Sequence, residues 1–107
     1  MNIGEALTSA TNYPIPANQI EKIAIGRGLT IGDTYNVTVA ESEAYQLAEA
    51  DVFLFMYSAV DIGEQEIRMS VGDREDFLNK ANMIYGLYDD PKFTGVRYGF
   101  IGDTYNG

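Results

Sequence analysis

The sequence contains neither histidine nor cysteine among its 107 residues. These absences exclude a serine–histidine–aspartate triad, a cysteine–histidine pair, and zinc sites built from thiolate or imidazole ligands. Without cysteine no disulfide can form, so nothing marks the protein as extracellular. We therefore expect a protein that is not an enzyme and that binds no cofactor or metal ion.

Basic residues and long apolar stretches are also scarce. Seven Lys and Arg stand against 16 Asp and Glu, which gives a net charge of −9 and no basic face for nucleic acid. The longest apolar run, Val52 to Tyr57, is far too short to span a bilayer, and the N-terminus lacks the basic stretch of a secretion signal. We expect a soluble, acidic domain with no membrane partner.

Apolar residues recur at helical spacing in four segments of the chain. The segments cover residues 3–10, 20–27, 39–60 and 71–88. Asn2 with Glu5, and Thr38 with Glu41, have the spacing of capping boxes at the starts of the first and third helices. Gly28 stands where a left-handed residue would end the second helix. These patterns predict a mainly α protein built as a small four-helix bundle.

Two stretches of the chain lack helical spacing. Residues 61–69 contain apolar residues that alternate with polar ones, which predicts a short β-hairpin or an extended loop between the third and fourth helices. Residues 93–107 hold four glycines and alternate in the same manner, which predicts an extended C-terminal arm. The predicted organisation is a helical domain over residues 1–92 followed by the arm over residues 93–107.

The six-residue sequence Ile-Gly-Asp-Thr-Tyr-Asn occurs twice, at residues 31–36 and again at residues 101–106. Gly, Asp and Asn all favour turns, so two similar turns are one interpretation. The alternative is that both copies fit one kind of groove, the first within its own subunit and the second on a neighbour.

Asp51 interrupts the apolar stripe of the predicted third helix. A buried carboxylate must be paired or hydrogen-bonded, because removing it from water is costly. One interpretation is a structural ion pair, or a hydrogen bond to Asn82, to a Tyr or to a backbone amide. The other is a contact between subunits, for example with Arg68 or Arg74 of a neighbouring copy.

Short segments of the predicted helices resemble a family of viral proteins. The sequence AYQLAEAD at residues 44–51, followed after a loop by ANMIY at residues 81–85, is similar to the small head-to-tail connector (adaptor) proteins of tailed phages, including those of Bacteroides-type gut bacteria. The sequence RGL at residues 27–29 fits the same pattern. The similarity covers residues 3–90 and consists of helix lengths and short motifs.

The resemblance implies a small helical bundle that assembles into a ring, commonly of twelve copies, beneath the portal at a capsid vertex. Such a ring extends the DNA channel and joins the head to the tail. The implied partners are copies of the chain itself, the portal protein and tail proteins, while DNA passes through the channel without specific binding. The expected location is the capsid–tail junction of the virion, after assembly in the host cytoplasm.

The resemblance also implies roles for the two non-helical stretches. The loop after the third helix is expected to face the channel, where its acidic residues would repel DNA phosphates. The residues of that loop are Glu64, Glu66 and, as a departure from the acidic pattern, Arg68. The arm is expected to dock on the portal or on a neighbouring subunit, and exposed aromatic residues favour such a surface. The docking residues are Phe93, Val96, Arg97, Tyr98, Phe100 and Tyr105.

Two other functions are compatible with the residues. The net charge of −9 allows a small acidic protein that mimics DNA or acts as a regulatory binding protein, although many carboxylates stand at helix starts, where they favour the helix. A small enzyme that uses a pair of carboxylates is the third hypothesis.

Overall fold

A computed structural model describes residues 1–62 and 71–94 of the chain. The helices in this part are α1 (Ile3–Thr8), α2 (Ala17–Gly26), α3 (Val37–Ala40), α4 (Glu43–Ile62) and α5 (Val71–Leu87). The prediction of a mainly α fold is confirmed. Most of the predicted hairpin or loop, and the predicted arm from residue 95 onward, lie outside the described residues.

Helix α4 lies at the centre of the fold, because two of its sides are buried against different helices. One side packs on α1 and α2 in a first core cluster, in which Leu7 and Val52 are fully buried. Another side packs on α5 in a second cluster, in which Met56 and Tyr85 are fully buried. Burying each such side chain contributes roughly 1.5–3 kcal/mol, so the central helix holds the two outer layers together.

The start of α1 follows the predicted capping box. The backbone N–H of Glu5 donates to the side-chain oxygen of Asn2 at 2.8 Å, and the Glu5 carboxylate accepts from the Asn2 backbone N–H at 2.8 Å. Residues just after this cap run close to residue 31. A Cβ atom on Gly4 would lie 3.0 Å from the Cβ atom of Ile31, so a larger residue would require Ile31 to shift slightly and glycine favours the close approach.

The third predicted helix is divided in two, and the capping box predicted from Thr38 and Glu41 is wrong. Asn36 caps α3, since its side-chain oxygen accepts from the backbone N–H of Val39 at 2.9 Å. The Ser42 hydroxyl then donates to the Val39 carbonyl at 2.7 Å and accepts from the backbone N–H of Tyr45 at 3.2 Å. One side chain therefore closes α3 and opens α4, and the competition with backbone hydrogen bonds interrupts the helix.

Helix α2 ends in a Schellman motif, as the position of Gly28 predicts. Gly28 has a φ of 79°, in the left-handed region, and the backbone N–H of Leu29 donates to the Ala24 carbonyl at 2.8 Å. The residue before Gly28 is Arg27, which closes the helix. The motif thus fixes where the Arg27 side chain leaves the backbone.

Helix α5 ends in the same motif without a glycine. Asp89 takes the left-handed position with a φ of 56°, and the backbone N–H of Asp90 donates to the Tyr85 carbonyl at 2.8 Å. Asp is among the residues that tolerate this conformation best after glycine. The turn places Asp90 close to the end of α2.

Candidate functional site

Asp51 lies in the middle of α4 and is the centre of a cluster of charged and polar side chains. Its side chain is only 8% exposed. Arg27 contacts both carboxylate oxygens, with Nε at 2.7 Å from Oδ2 and Nη2 at 2.9 Å from Oδ1. The Tyr85 hydroxyl donates to Oδ1 at 2.5 Å, and the Lys92 ammonium lies 3.1 Å from the same oxygen. This buried carboxylate is therefore paired within its own chain.

Asp90 completes the cluster from the end of α5. Its carboxylate accepts from Nη1 of Arg27 at 2.9 Å and from the backbone N–H of Lys92 at 3.0 Å. The negative charges of the two carboxylates are thus balanced by the positive charges of one guanidinium and one ammonium group. The cluster, defined by Arg27, Asp51, Tyr85, Asp90 and Lys92, joins residues from α4, the end of α2 and the end of α5.

The electrostatics of the cluster favour its charged state. Burial by itself would raise the pKa of Asp51, but hydrogen bonds from Arg27, Tyr85 and Lys92 outweigh it and hold the pKa below its usual value. The pKa of Asp90 is also lowered, because the contacts with Arg27 and Lys92 outweigh desolvation. Asp51 already accepts donors on both oxygens and has a low pKa, so it is not prepared to act as a general base near neutral pH.

The chain leaves the described fold beside this cluster. Phe93 is half-buried in the second core cluster, where its ring lies 3.2 Å from the place a Cβ atom on Gly86 would take. The backbone N–H and the hydroxyl of Thr94 donate to the Asn82 side chain at 3.0 and 3.2 Å. Residues 93 and 94 therefore pack on α5, although the sequence assigns them to the arm.

The structure locates some of the predicted site residues. Asp51 has the intrachain ion pairs and the Tyr hydrogen bond of the structural interpretation, while Asn82 binds Thr94 instead. A subunit contact through Asp51, and a docking role for Phe93, stay predictions. The channel residues Glu64, Glu66 and Arg68 and the arm residues Val96, Arg97, Tyr98, Phe100 and Tyr105 lie outside the described residues.

Sequence reasoning missed three members of the cluster, namely Arg27, Asp90 and Lys92. A signal for Arg27 was present, because it falls at helical spacing with the buried residues Ile20 and Ala24. A cation on an apolar face needs an anion, and Asp51 is an anion on an apolar face. Asp90 and Lys92 follow the helix end, and no periodic pattern marks them.

Several large apolar side chains lie on the surface of the described part. Met83 and Leu87 are 71% and 72% exposed and stand one turn apart on α5. Ile25 on α2 and Val37 on α3 are also exposed, at 65% and 72%. Single exposed apolar residues are ordinary, whereas Met83 and Leu87 are neighbours on one helix face.

The first copy of the six-residue repeat lies against the N-terminus. Thr34 forms an isolated antiparallel bridge with Asn2. The hydrogen bonds run from the backbone N–H groups of Ile3, Gly4 and Tyr35 to the carbonyls of Asp33, Ile31 and Met1, at 2.9, 2.9 and 3.1 Å. The Tyr35 ring packs on Tyr45 of α4, with ring centroids 5.1 Å apart. This copy is thus a structural part of its own subunit.

A groove of about 780 Å³ lies beside this first copy. It is bounded by Met1 and Asn2, by one side of α1, by the start of α2, and by Ile31 and Gly32 of the repeat. Met1, Ala17 and Ile31 supply apolar surface, and Asn2, Glu5, Thr8 and Ser9 supply polar atoms. The lining therefore combines apolar surface with groups that can form hydrogen bonds.

Comparisons with protein-family models, with curated proteins and with solved structures found no match to this chain. Within residues 1–62 and 71–94, no helix is both long enough and apolar enough to cross a membrane. In the same part of the chain, no three carboxylates come together in a group that could hold a metal ion.

Proposed function

We propose that this protein is a structural subunit of the head-to-tail connector of a tailed phage, in which copies form a ring below the portal. The ring extends the DNA channel and joins the tail. The first support is the sequence resemblance described above. The segments that carry it, residues 44–51 and 81–85, belong to α4 and α5, which pack on each other.

The observation that carries the proposal is the distribution of exposed apolar side chains. A closed ring requires two different faces on each subunit, one complementary to the other. Met83 and Leu87 lie on the outer side of α5, whereas Ile25 belongs to α2 in the other layer of the fold. Apolar contacts on separate helices suit a head-to-tail arrangement of neighbours.

The charge of the chain fits the same role. A net charge of −9 opposes binding to DNA, and an acidic channel lets the duplex slide past without adhering. Carboxylates that are exposed in the described part include Glu5, Glu21, Glu41 and Glu43. The position of residues 61–69 in the channel is part of the proposal.

The test measures assembly of the full chain by native mass spectrometry and negative-stain electron microscopy. The chain is examined alone and with the portal protein encoded beside it. Rings of fixed copy number, formed by the chain alone or on the portal, support the proposal. A chain that stays monomeric in both mixtures overturns it, as does a reading frame with no portal gene nearby.

A pair of variants tests the contact surface. Leu87→Glu places a charge on the exposed apolar pair and is expected to abolish the ring without unfolding the subunit. Ser58→Glu, at an exposed position of α4 and away from the Met83–Leu87 face, is the matched control and is expected to assemble normally. If the protein is instead a monomer that binds a DNA-binding protein, and if added salt weakens that binding, the DNA-mimic hypothesis is favoured.

A further inference from the structure

We infer that the second occurrence of the repeat, residues 101–106, binds in this groove on another molecule of the protein. The inference rests on the repeat itself and on the groove that lies beside its first occurrence. The groove has apolar surface from Met1, Ala17 and Ile31, and polar atoms along α1. The hexapeptide has a matching composition, with Ile101 as an apolar anchor and Thr104 and Asn106 as hydrogen-bonding groups. The occupant is thus a named segment of the chain itself.

The contacts of the first copy show what this sequence does when it is docked. Its backbone pairs with residues 1–4, Ile31 joins the partly buried residues around the first core cluster, and Tyr35 packs on Tyr45. A turn alone would need neither the Ile nor the Tyr, since Gly, Asp and Asn supply the turn chemistry. The identity of all six residues therefore points to recognition of a surface of this same chain.

The proposed ring, in which neighbouring subunits contact each other, is the reason for placing the hexapeptide on a second molecule. The described chain ends at Thr94, which is bound to Asn82 on α5. The groove is formed by α1, α2 and the repeat, and α4 packs between these helices and α5. Six residues lie between Thr94 and Ile101, and the seven Cα–Cα steps from one to the other reach about 25 Å when fully extended. A reach of this length is enough to span the contact between two adjacent subunits.

This inference rests on the proposed function. It extends that function by naming one contact between neighbouring subunits of the ring. The absence of cysteine from the sequence allows the contact to be mapped by disulfide formation. Gly32→Cys is introduced into one full chain and Asp103→Cys into another. A Cβ atom on Gly32 meets no atom within 4 Å, so the substitution fits the groove.

The two chains are mixed under mild oxidation, and the cross-linked heterodimer is measured on non-reducing gels. Disulfides require Cα atoms within about 7 Å, so cross-linking reports docking. The control is the pair of Asn79→Cys with Asp103→Cys. We expect the Gly32→Cys and Asp103→Cys pair to form at least about tenfold more cross-linked heterodimer than this control. Equal cross-linking of the two pairs, or none, overturns the inference. A chain that carries both cysteines and closes an internal disulfide at high dilution overturns it as well.

A charge in the groove provides a second test that does not depend on cysteine geometry. Ala17→Glu adds a carboxylate at the first residue of α2, where the helix dipole favours it, so the fold is expected to remain stable. The heterodimer is expected to be lost in this variant. Asn18→Glu, next to it and outside the groove, is the matched control and is expected to retain the cross-link.

The results separate this contact from the ring itself. Rings or portal complexes without the 32–103 cross-link overturn the contact and leave the proposed function standing. A closed pair of chains that exchange their hexapeptides supports the contact and contradicts the ring.

Discussion

Replacing Asp51 with Asn is expected to lower the free energy of unfolding by about 3 kcal/mol. Removing one partner of a buried ion pair costs roughly 3–5 kcal/mol, because the remaining charge stays buried. Asp51 is 8% exposed and pairs with Arg27 at 2.7 and 2.9 Å. We place the loss at the lower end of that range because Arg27 keeps Asp90 at 2.9 Å and because Asn retains one acceptor oxygen. For a chain of 107 residues, such a loss lowers Tm by roughly 12–24 °C.

Substitutions of Lys92 and Asp90 are expected to lower the free energy of unfolding less than Asp51→Asn does, and the exposure of each side chain gives the reason. Lys92 is 51% exposed and can return to water when its partner is lost, so Lys92→Met is expected to cost less than about 1 kcal/mol. Asp90 is 10% exposed and accepts from Arg27, so Asp90→Asn is expected to cost an intermediate amount, about 1–2 kcal/mol.

Urea unfolding at pH 7, followed by far-ultraviolet circular dichroism, measures the series. Glu49→Gln is the matched control on the same helix. Burial raises the pKa of Glu49, which means that its charged form is disfavoured in the folded protein. Neutralising it is therefore expected to leave the stability unchanged or to increase it. The reasoning would be refuted if Asp51→Asn lowered the free energy of unfolding by less than about 1 kcal/mol, or if Lys92→Met lowered it more than Asp51→Asn does.

Three further outcomes are expected in the same unfolding assay. Gly28→Ala, at a φ of 79°, should cost about 1 kcal/mol, whereas Gly26→Ala inside α2 should be neutral or stabilising; the same sign for both would contradict the left-handed turn. Ser42→Ala should cost about 1 kcal/mol and Thr38→Ala almost nothing, and the reverse order would restore the capping box predicted from sequence. The lowered pKa of Asp51 means that the unfolded state takes up its proton first on acidification. Stability should therefore fall as the pH drops below about 4, and fall less in Asp51→Asn; parallel pH profiles for the two proteins would count against this.

The helices were largely predictable because their signals are local. Apolar spacing identified α1, α2, α4 and α5, and the caps at Asn2 and Gly28 were correct. The start of α4 was not predictable in the same way. Asn36, Thr38 and Ser42 are all good capping residues within seven positions, and the sequence does not rank them. The Ser42 hydroxyl decides the matter through two hydrogen bonds that depend on the folded backbone.

The candidate site was predictable at one residue only. Asp51 stood out as a carboxylate on an apolar stripe, and its burial follows from that position. Its partners Arg27, Tyr85 and Lys92 are 24, 34 and 41 residues away in the sequence. Contacts over such separations depend on how α2 and α5 pack on α4, and helical spacing within one segment carries no information about that packing.

The cluster does something for the fold that apolar packing does not. Apolar burial is non-directional, whereas the guanidinium of Arg27 binds Asp51 and Asp90 in one fixed geometry and so adds a directional contact between α4 and the ends of α2 and α5. The same geometry sets the position of Lys92, two residues before the chain leaves the described fold at Thr94. In the proposed ring every subunit must direct its arm to the same place on its neighbour, and a directional contact at the root of the arm meets that requirement. Asp51→Asn separates alignment from stability: a folded variant that loses the 32–103 cross-link shows that the cluster aligns the arm, and one that keeps it shows that the cluster contributes stability alone.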